Sequence, residues 1–288
     1  MSVDPNAPVI VAVAQQTWRE ADNARTPLDA LHAVASLALE DSGCEDLLAS
    51  IDAVATVRFL TDSNPNLIPL MPRNPGLLLA RRLGIGKAQF FQTTLGGNTP
   101  QYLVNHFAAR IAGGEFNAVL ISGAELMNTF LSALRSGGDI SNWAGEATAD
   151  PTLLGEERDG VNALERAHGL YEPVNTYPVF ENALQHHLGR SREEQQAMMA
   201  QICAGMGDVA AENPLAWKPS SRTAGDIGQA TEKNRYIGYP YTKAMNAILM
   251  VDMAAAIVMT TAGKARELGI APERIIYLRS GVDLNEVW

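Results

Sequence analysis

Continuous apolar runs, each followed by a segment of helical periodicity, restrict the folds open to this chain more than any other feature. Val9 to Ala14 is unbroken apolar sequence, the pattern of a strand covered on both faces rather than one. Thr26-Pro27 opens a helix over about Leu28 to Asp41, with Leu28, Leu31, Ala35, Ala38 and Leu39 on one side and Gly43 as its stop. Ile51 to Phe59 reads as the next strand, and Asp62 to Asn74, rich in Asn and Pro, as a loop. Pro75 begins a short helix through Leu83, ended by Gly84. Ala88 to Phe91 and Asn117 to Gly123 are further strands, and the helix between them breaks at Gly113-Gly114. This alternation predicts an α/β fold with right-handed crossovers and a mostly parallel sheet covered by helices.

The stretch from Gln92 to Gln101 is the sharpest local signal. A strand ends, Gly96-Gly97 permits a tight turn, and Thr99 and Pro100 fit an N-cap and a first helical residue. Leu103, Val104, Phe107, Ala108 and Ile111 then recur at helical spacing. Such an elbow aims free N–H groups and the positive end of a helix at whatever occupies it, which favours a phosphate, a carboxylate or a developing oxyanion. An ordinary strand-to-helix turn has the same sequence, so both readings stand.

After Gly123 the texture changes. From about 124 to 243 the chain carries polar loops and helices with few strand signals, so we expect an inserted helical region between a β/α core formed by 1–123 and 244–288. Ser191-Arg192-Glu193-Glu194 has capping-box spacing, and Met198, Ile202, Met206, Val209 and Ala210 form a stripe of the kind that packs into a core. Between Lys218 and Lys243, five basic residues (Lys218, Arg222, Lys233, Arg235, Lys243) face two acidic ones, Asp226 and Glu232. A positive segment inside a protein of net charge −10 suits an anionic ligand's phosphates, although a solvated loop is an equal alternative. The pattern of strands resumes with Ala254 to Thr260 and Arg274 to Ser280, flanking a short helix from Ala262 to Leu268.

The overall negative charge argues against nucleic acid or an anionic membrane as the main partner. No apolar run approaches the length of a membrane span. Two cysteines, Cys44 and Cys203, sit in helical, apolar surroundings and read as buried, inert thiols, which fits a reducing cytoplasm. His186-His187 are adjacent on a helix and diverge by about 100°, His106 lies one turn past Tyr102, and His168 ends a helix, so no metal-ligand spacing appears. The absence of G-x-G-x-x-G, P-loop and G-x-S-x-G sequences counts against nicotinamide, nucleoside-triphosphate and serine-hydrolase chemistry.

Taken together, several segments resemble the N-terminal half of the thiolase superfamily, nearest its sterol-carrier-protein-type branch. They are the elbow, Ile111-Ala112-Gly113-Gly114-Glu115, Ser122-Gly123-Ala124-Glu125-Leu126-Met127, Asn213-Pro214-Leu215-Ala216-Trp217 and Val251-Asp252-Met253-Ala254-Ala255-Ala256. The resemblance implies acyl-coenzyme A chemistry with no covalently bound cofactor, and an inserted region that binds coenzyme A, here Lys218, Arg222, Lys233, Arg235 and Lys243. It places the family's nucleophilic cysteine at Gly97, with Asn98 and Thr99 beside it, so the attacking sulfur is missing. Relatives without that cysteine include carbon–carbon lyases that use tyrosines as acid and base, which points to Tyr239 and Tyr241. It further implies a homodimer through the strand at Ala88 to Phe91, or a second half or partner subunit covering Leu103, Phe107 and Ile111 of the elbow helix.

Overall fold

The computed structural model describes residues 3–285. They form two compact units: a sheet unit, taking the chain up to Glu157 and again from Met250, and a helical unit, Arg158–Leu249. The sheet unit extends past residue 123, where the sequence texture changed. The strand there continues to Leu126, and a further helix and strand follow it before the chain leaves the sheet.

The sheet unit opens with β1 (Pro8–Thr17) and α1 (Pro27–Asp41). Thr26 caps α1 reciprocally: its hydroxyl accepts the Asp29 N–H at 3.0 Å, and the Asp29 carboxylate accepts the Thr26 N–H at 2.9 Å. A single turn, α2 (Leu47–Ser50), leads into β2 (Ile51–Thr56), three residues shorter than expected because the chain from Val57 turns into a loop. Next come α3 (Pro75–Leu83), stopped by the left-handed Gly84, then β3 (Gln89–Thr93) and α4 (Thr99–Ala112). β4 (Ala118–Leu126) passes directly into α5 (Met127–Ser136), and β5 (Thr152–Leu154) closes the first pass.

In the helical unit α6 (Ala163–Ala167) and α7 (Pro173–His187) precede α8 (Arg192–Glu212), which starts at the Ser191–Glu194 capping box. α9 (Ala224–Gly228) and a small hairpin, β6 (Tyr236–Gly238) with β7 (Tyr241–Thr242), complete it. A Cβ at Gly228 would lie 2.9 Å from the Ala200 Cβ, so glycine is what lets α9 sit against α8. That contact uses the side of α8 bearing Gln195, Met199 and Ala200. The expected core stripe is therefore not core: Ile202, Met206 and Val209 are exposed.

The chain returns to the sheet with β8 (Asp252–Thr261), α10 (Ala262–Glu267) and β9 (Ile276–Tyr277), the last shorter than the run from Arg274 to Ser280 suggested. The strand order is β5-β3-β2-β4-β8-β1-β9. β5, β3, β2 and β4 are parallel neighbours, β8 runs antiparallel to both β4 and β1, and β9 is antiparallel to β1. β5, β3, β2, β4 and β1 thus point one way, giving the mostly parallel, helix-covered α/β sheet expected.

Alternating residues of the strands feed two cores. Leu31 and Val34 of α1, Leu79 of α3 and Phe130 of α5 pack on one face. Leu103, Phe107 and Ile111 of α4 pack on the other, with Phe91, Phe116, Ile121 and Met259. These three α4 side chains are fully buried, so the expectation that they need an outside cover is corrected: the sheet itself covers them. β3 is not a free edge either, since β5 pairs with it over Phe91–Thr93. No helix among the described residues is long and apolar enough to cross a membrane.

Candidate functional site

The elbow is built from residues 93–101. Thr93 is buried and its hydroxyl accepts the Arg58 N–H at 3.2 Å, while Thr94 N–H donates to the Leu154 carbonyl at 2.9 Å. Thr99 does not cap α4 as expected. Its hydroxyl donates back to the Gly96 carbonyl at 2.8 Å, closing the turn, which makes Thr99 the first helical residue and leaves Asn98 in the cap position without a side-chain capping bond. A Cβ at Gly96 would meet Asn98 Oδ1 at 2.7 Å and Thr99 Cγ2 at 3.2 Å, so a side chain there needs the Asn98 amide to swing aside. A Cβ at Gly97 meets nothing within 4 Å. Gly97 and Asn98 are both exposed, and position 97 is open space at the positive end of a helix.

Beside α4, the same sheet face forms a cavity of about 520 Å³ whose walls include Val57, Val104, Ile121, Met253 and Ile257. Glu125 is the titratable residue among those lining it. Its Oε1 accepts the Leu60 N–H at 2.7 Å. Burial, seconded by the charge of Asp62, pushes the carboxyl up to about 7 against that one hydrogen bond. Asp62 is itself raised by burial, although Arg58 Nε lies 3.3 Å from its carboxylate, and its Oδ1 is buried without a partner. Arg58 also pairs with Glu157.

The motif aspartate Asp252 is fully buried and structural. It accepts the Thr129 N–H at 3.0 Å, the Thr129 hydroxyl at 2.8 Å and the Asn128 side-chain amide at 3.4 Å, and so caps the first turn of α5. Thr129 in turn accepts the Asp22 N–H at 3.0 Å.

In the helical unit, Lys218, Arg222, Lys233 and Lys243 line one cavity of about 410 Å³, together with Ser220, Asn234 and Cys203, and no acidic side chain lines it. Asn234 holds the segment in place: its amide donates to the carbonyls of Asp226, Ile227 and Gln229 at 3.1, 2.9 and 3.0 Å, and its Oδ1 accepts the Ala244 N–H at 2.9 Å. Sequence reasoning missed this organiser, whose signal was a polar amide at the middle of a basic run. Arg235 does not line the cavity and donates to the Tyr236 carbonyl at 3.1 Å. Cys203 lies on α8, half-buried, with its thiol pushed up by burial. Cys44 lies in the turn after α1, not on a helix, and donates to the Leu268 carbonyl at 3.4 Å.

Tyr239 and Tyr241 also belong to the helical unit, and neither lines the basic cavity. Tyr239 is exposed and stacks edge-on with Tyr236 at 5.3 Å. Tyr241 donates to Glu181 at 2.6 Å, and burial together with that carboxylate holds its phenol well above the ordinary range. A phenol so placed keeps its proton, which favours a donor over a base. His106 stays below its usual range because burial and Arg110 disfavour its charge, and its ring nitrogen lies 3.2 Å from the guanidinium. Among the described residues no group of three or more His, Cys, Asp or Glu is placed to hold a metal.

No protein-family model and no curated protein matches this chain. Solved structures do. A monomeric SCP2-thiolase-like protein type 1 from Mycobacterium smegmatis is 28% identical, with a TM-score of 0.74 over 96% of this chain and 51% of its own length. An Ltp2–ChsH2(DUF35) aldolase is 20% identical, with a TM-score of 0.63 over 92% of this chain and 58% of that one. Human mitochondrial 3-ketoacyl-CoA thiolase is 17% identical, with a TM-score of 0.54 over 93% of this chain and 69% of that one. The chain therefore spans about half the length of the first of these.

Proposed function

We propose, from the premise that this chain has the fold of the N-terminal half of an SCP2-type thiolase-like protein, that it binds acyl-coenzyme A thioesters and forms no acyl-enzyme. The observation that carries the reading is the basic cavity, lined by Lys218, Arg222, Lys233 and Lys243 and by no acidic side chain. That surplus suits the phosphates of coenzyme A, since hydrogen bonds to charged groups are the strong ones. Position 97, in the sheet unit, holds no nucleophile, so no acyl-enzyme can form there.

Calorimetric titration of the full chain with coenzyme A and acetyl-coenzyme A tests this. Saturable binding is expected, and Lys218→Ala, Arg222→Ala, Lys233→Ala or Lys243→Ala should each weaken it roughly tenfold, the loss of one charged hydrogen bond. Arg235→Ala, outside the cavity, should leave it unchanged. No heat at millimolar ligand, or equal affinity in all five variants, overturns the reading. Acetoacetyl-coenzyme A should not be thiolysed.

A second reading, in which the chain is a scaffolding or lyase subunit acting with a partner chain, is favoured by the exposed Ile202, Met206 and Val209 stripe, which a partner or a second copy would cover. In that case Tyr239 and Tyr241 are the acid and base to test.

A further inference from the structure

We propose that Glu125 is the proton-transfer group for an acyl thioester whose acyl part sits in the apolar cavity beside α4, taking a proton from the carbon next to the thioester carbonyl. This rests on the reading above for its class of ligand, an acyl thioester, while the acyl seat and the reacting side chain both belong to the sheet unit.

The cavity is a product of strand periodicity. Ile121, Gly123 and Glu125 of β4 and Met253, Ala255 and Ile257 of β8 face the same way, so five apolar residues surround one carboxyl. A mostly apolar body with a few placed polar groups, here Glu125 with Gln15, Gln101 and Ser122, is the form of a small-molecule site. Glu125 is fixed rather than mobile, because the Leu60 N–H holds one of its oxygens at 2.7 Å. Its surroundings are not those of a structural ion pair. The nearby guanidinium, Arg58, is engaged by Asp62 and Glu157. The charged groups facing Glu125 are thus Asp62 and, behind it, Arg58, and the carboxyl titrates at about 7, where a general base works best. Pro100 and Gln101, from the first turn of α4, line the same cavity and bring the positive end of the helix to it.

In the step itself a C–H bond breaks, and its electron pair moves into the thioester to give an enolate with the charge on the carbonyl oxygen. The proton passes to the Glu125 carboxylate, and reprotonation reverses the change. Nothing is oxidised or reduced.

The experiment follows loss of the α-protons of butyryl-coenzyme A in D2O by NMR, using the full chain, with calorimetric binding measured alongside. The wild-type chain should exchange them well above buffer, at a rate that rises with pH through about 7 as the carboxyl ionises. Glu125→Gln should bind within twofold of wild type and exchange about 100-fold more slowly. Asp62→Asn should keep exchange but move its pH profile down, because the Asp62 charge raises Glu125. Binding without exchange, exchange unchanged in Glu125→Gln, or an unmoved profile in Asp62→Asn overturns this inference alone. Absence of binding overturns the parent reading and this one with it.

Discussion

Gly97 and Gly96 are neighbours with different physical reasons for being glycine. Gly96 is crowded by the Asn98 amide, which must swing aside to admit a Cβ, whereas Gly97 has open space and no positive φ. A side chain at 97 should therefore enter without strain. Gly97→Cys is expected to change stability by no more than about 1 kcal/mol, in the stabilising direction, because the unfolded chain loses freedom. Its thiol should titrate below 8.5, as thiols at helix N-termini do. Thermal denaturation and the pH dependence of thiolate absorbance check both, and a large loss of melting temperature would mean the position is not open. The sequence showed that two glycines were present but not which of them is crowded. That distinction depends on where Asn98 Oδ1 falls.

At the scale of elements, helix starts were the most legible features, because capping is local. Thr26, Ser191 and the Gly84 stop behave as their spacing implied. Thr99 did not, since a hydroxyl can donate backward as readily as it can accept, and Pro100 is compatible with either register. The helix face buried by α8 was also illegible. Periodicity marks an apolar stripe but does not identify the stripe's neighbour, and α9 takes the Gln195–Met199–Ala200 side instead. The α5 start went unread because its cap comes from Asp252, more than a hundred residues on. Asp252→Ala would strand the Thr129 N–H and hydroxyl inside the protein, at about 1–3 kcal/mol for each buried group left unpaired. Urea denaturation should show a loss of about 2–5 kcal/mol, with Asp252→Asn losing less. A loss below 1 kcal/mol would show that α5 does not depend on this bond.

At the scale of the whole molecule, the class and six of the seven strands of the large sheet were readable from the apolar runs, but the short β5, the small hairpin and the strand order were not. A run of buried residues says that a strand is central without saying between which partners, and β8 inserts antiparallel between β4 and β1. Of the expected anion-binding residues, Lys218, Arg222, Lys233 and Lys243 converge and Arg235 does not, a difference set by the turn that Asn234 pins. Stability should also carry the mark of Glu125. Its folded pKa of about 7 lies above the ordinary 4.5, so the native state binds the proton more tightly and stability falls as pH rises between those values. By linkage the cost above pH 7 is on the order of 3 kcal/mol. Glu125→Gln should therefore stabilise the protein at pH 8 and have little effect at pH 5. Equal melting shifts at both pH values would contradict the assignment.

The position of β8 has a consequence for synthesis on the ribosome. β1 is made before every other strand of the sheet, yet its long lateral neighbour emerges only after the entire helical unit has been translated. The nascent amino-terminal strand must wait with its backbone groups hydrated while more than two hundred residues follow it out of the exit tunnel. The inserted helices can therefore be finished first, and the strand that joins β4 to β1 arrives only after them.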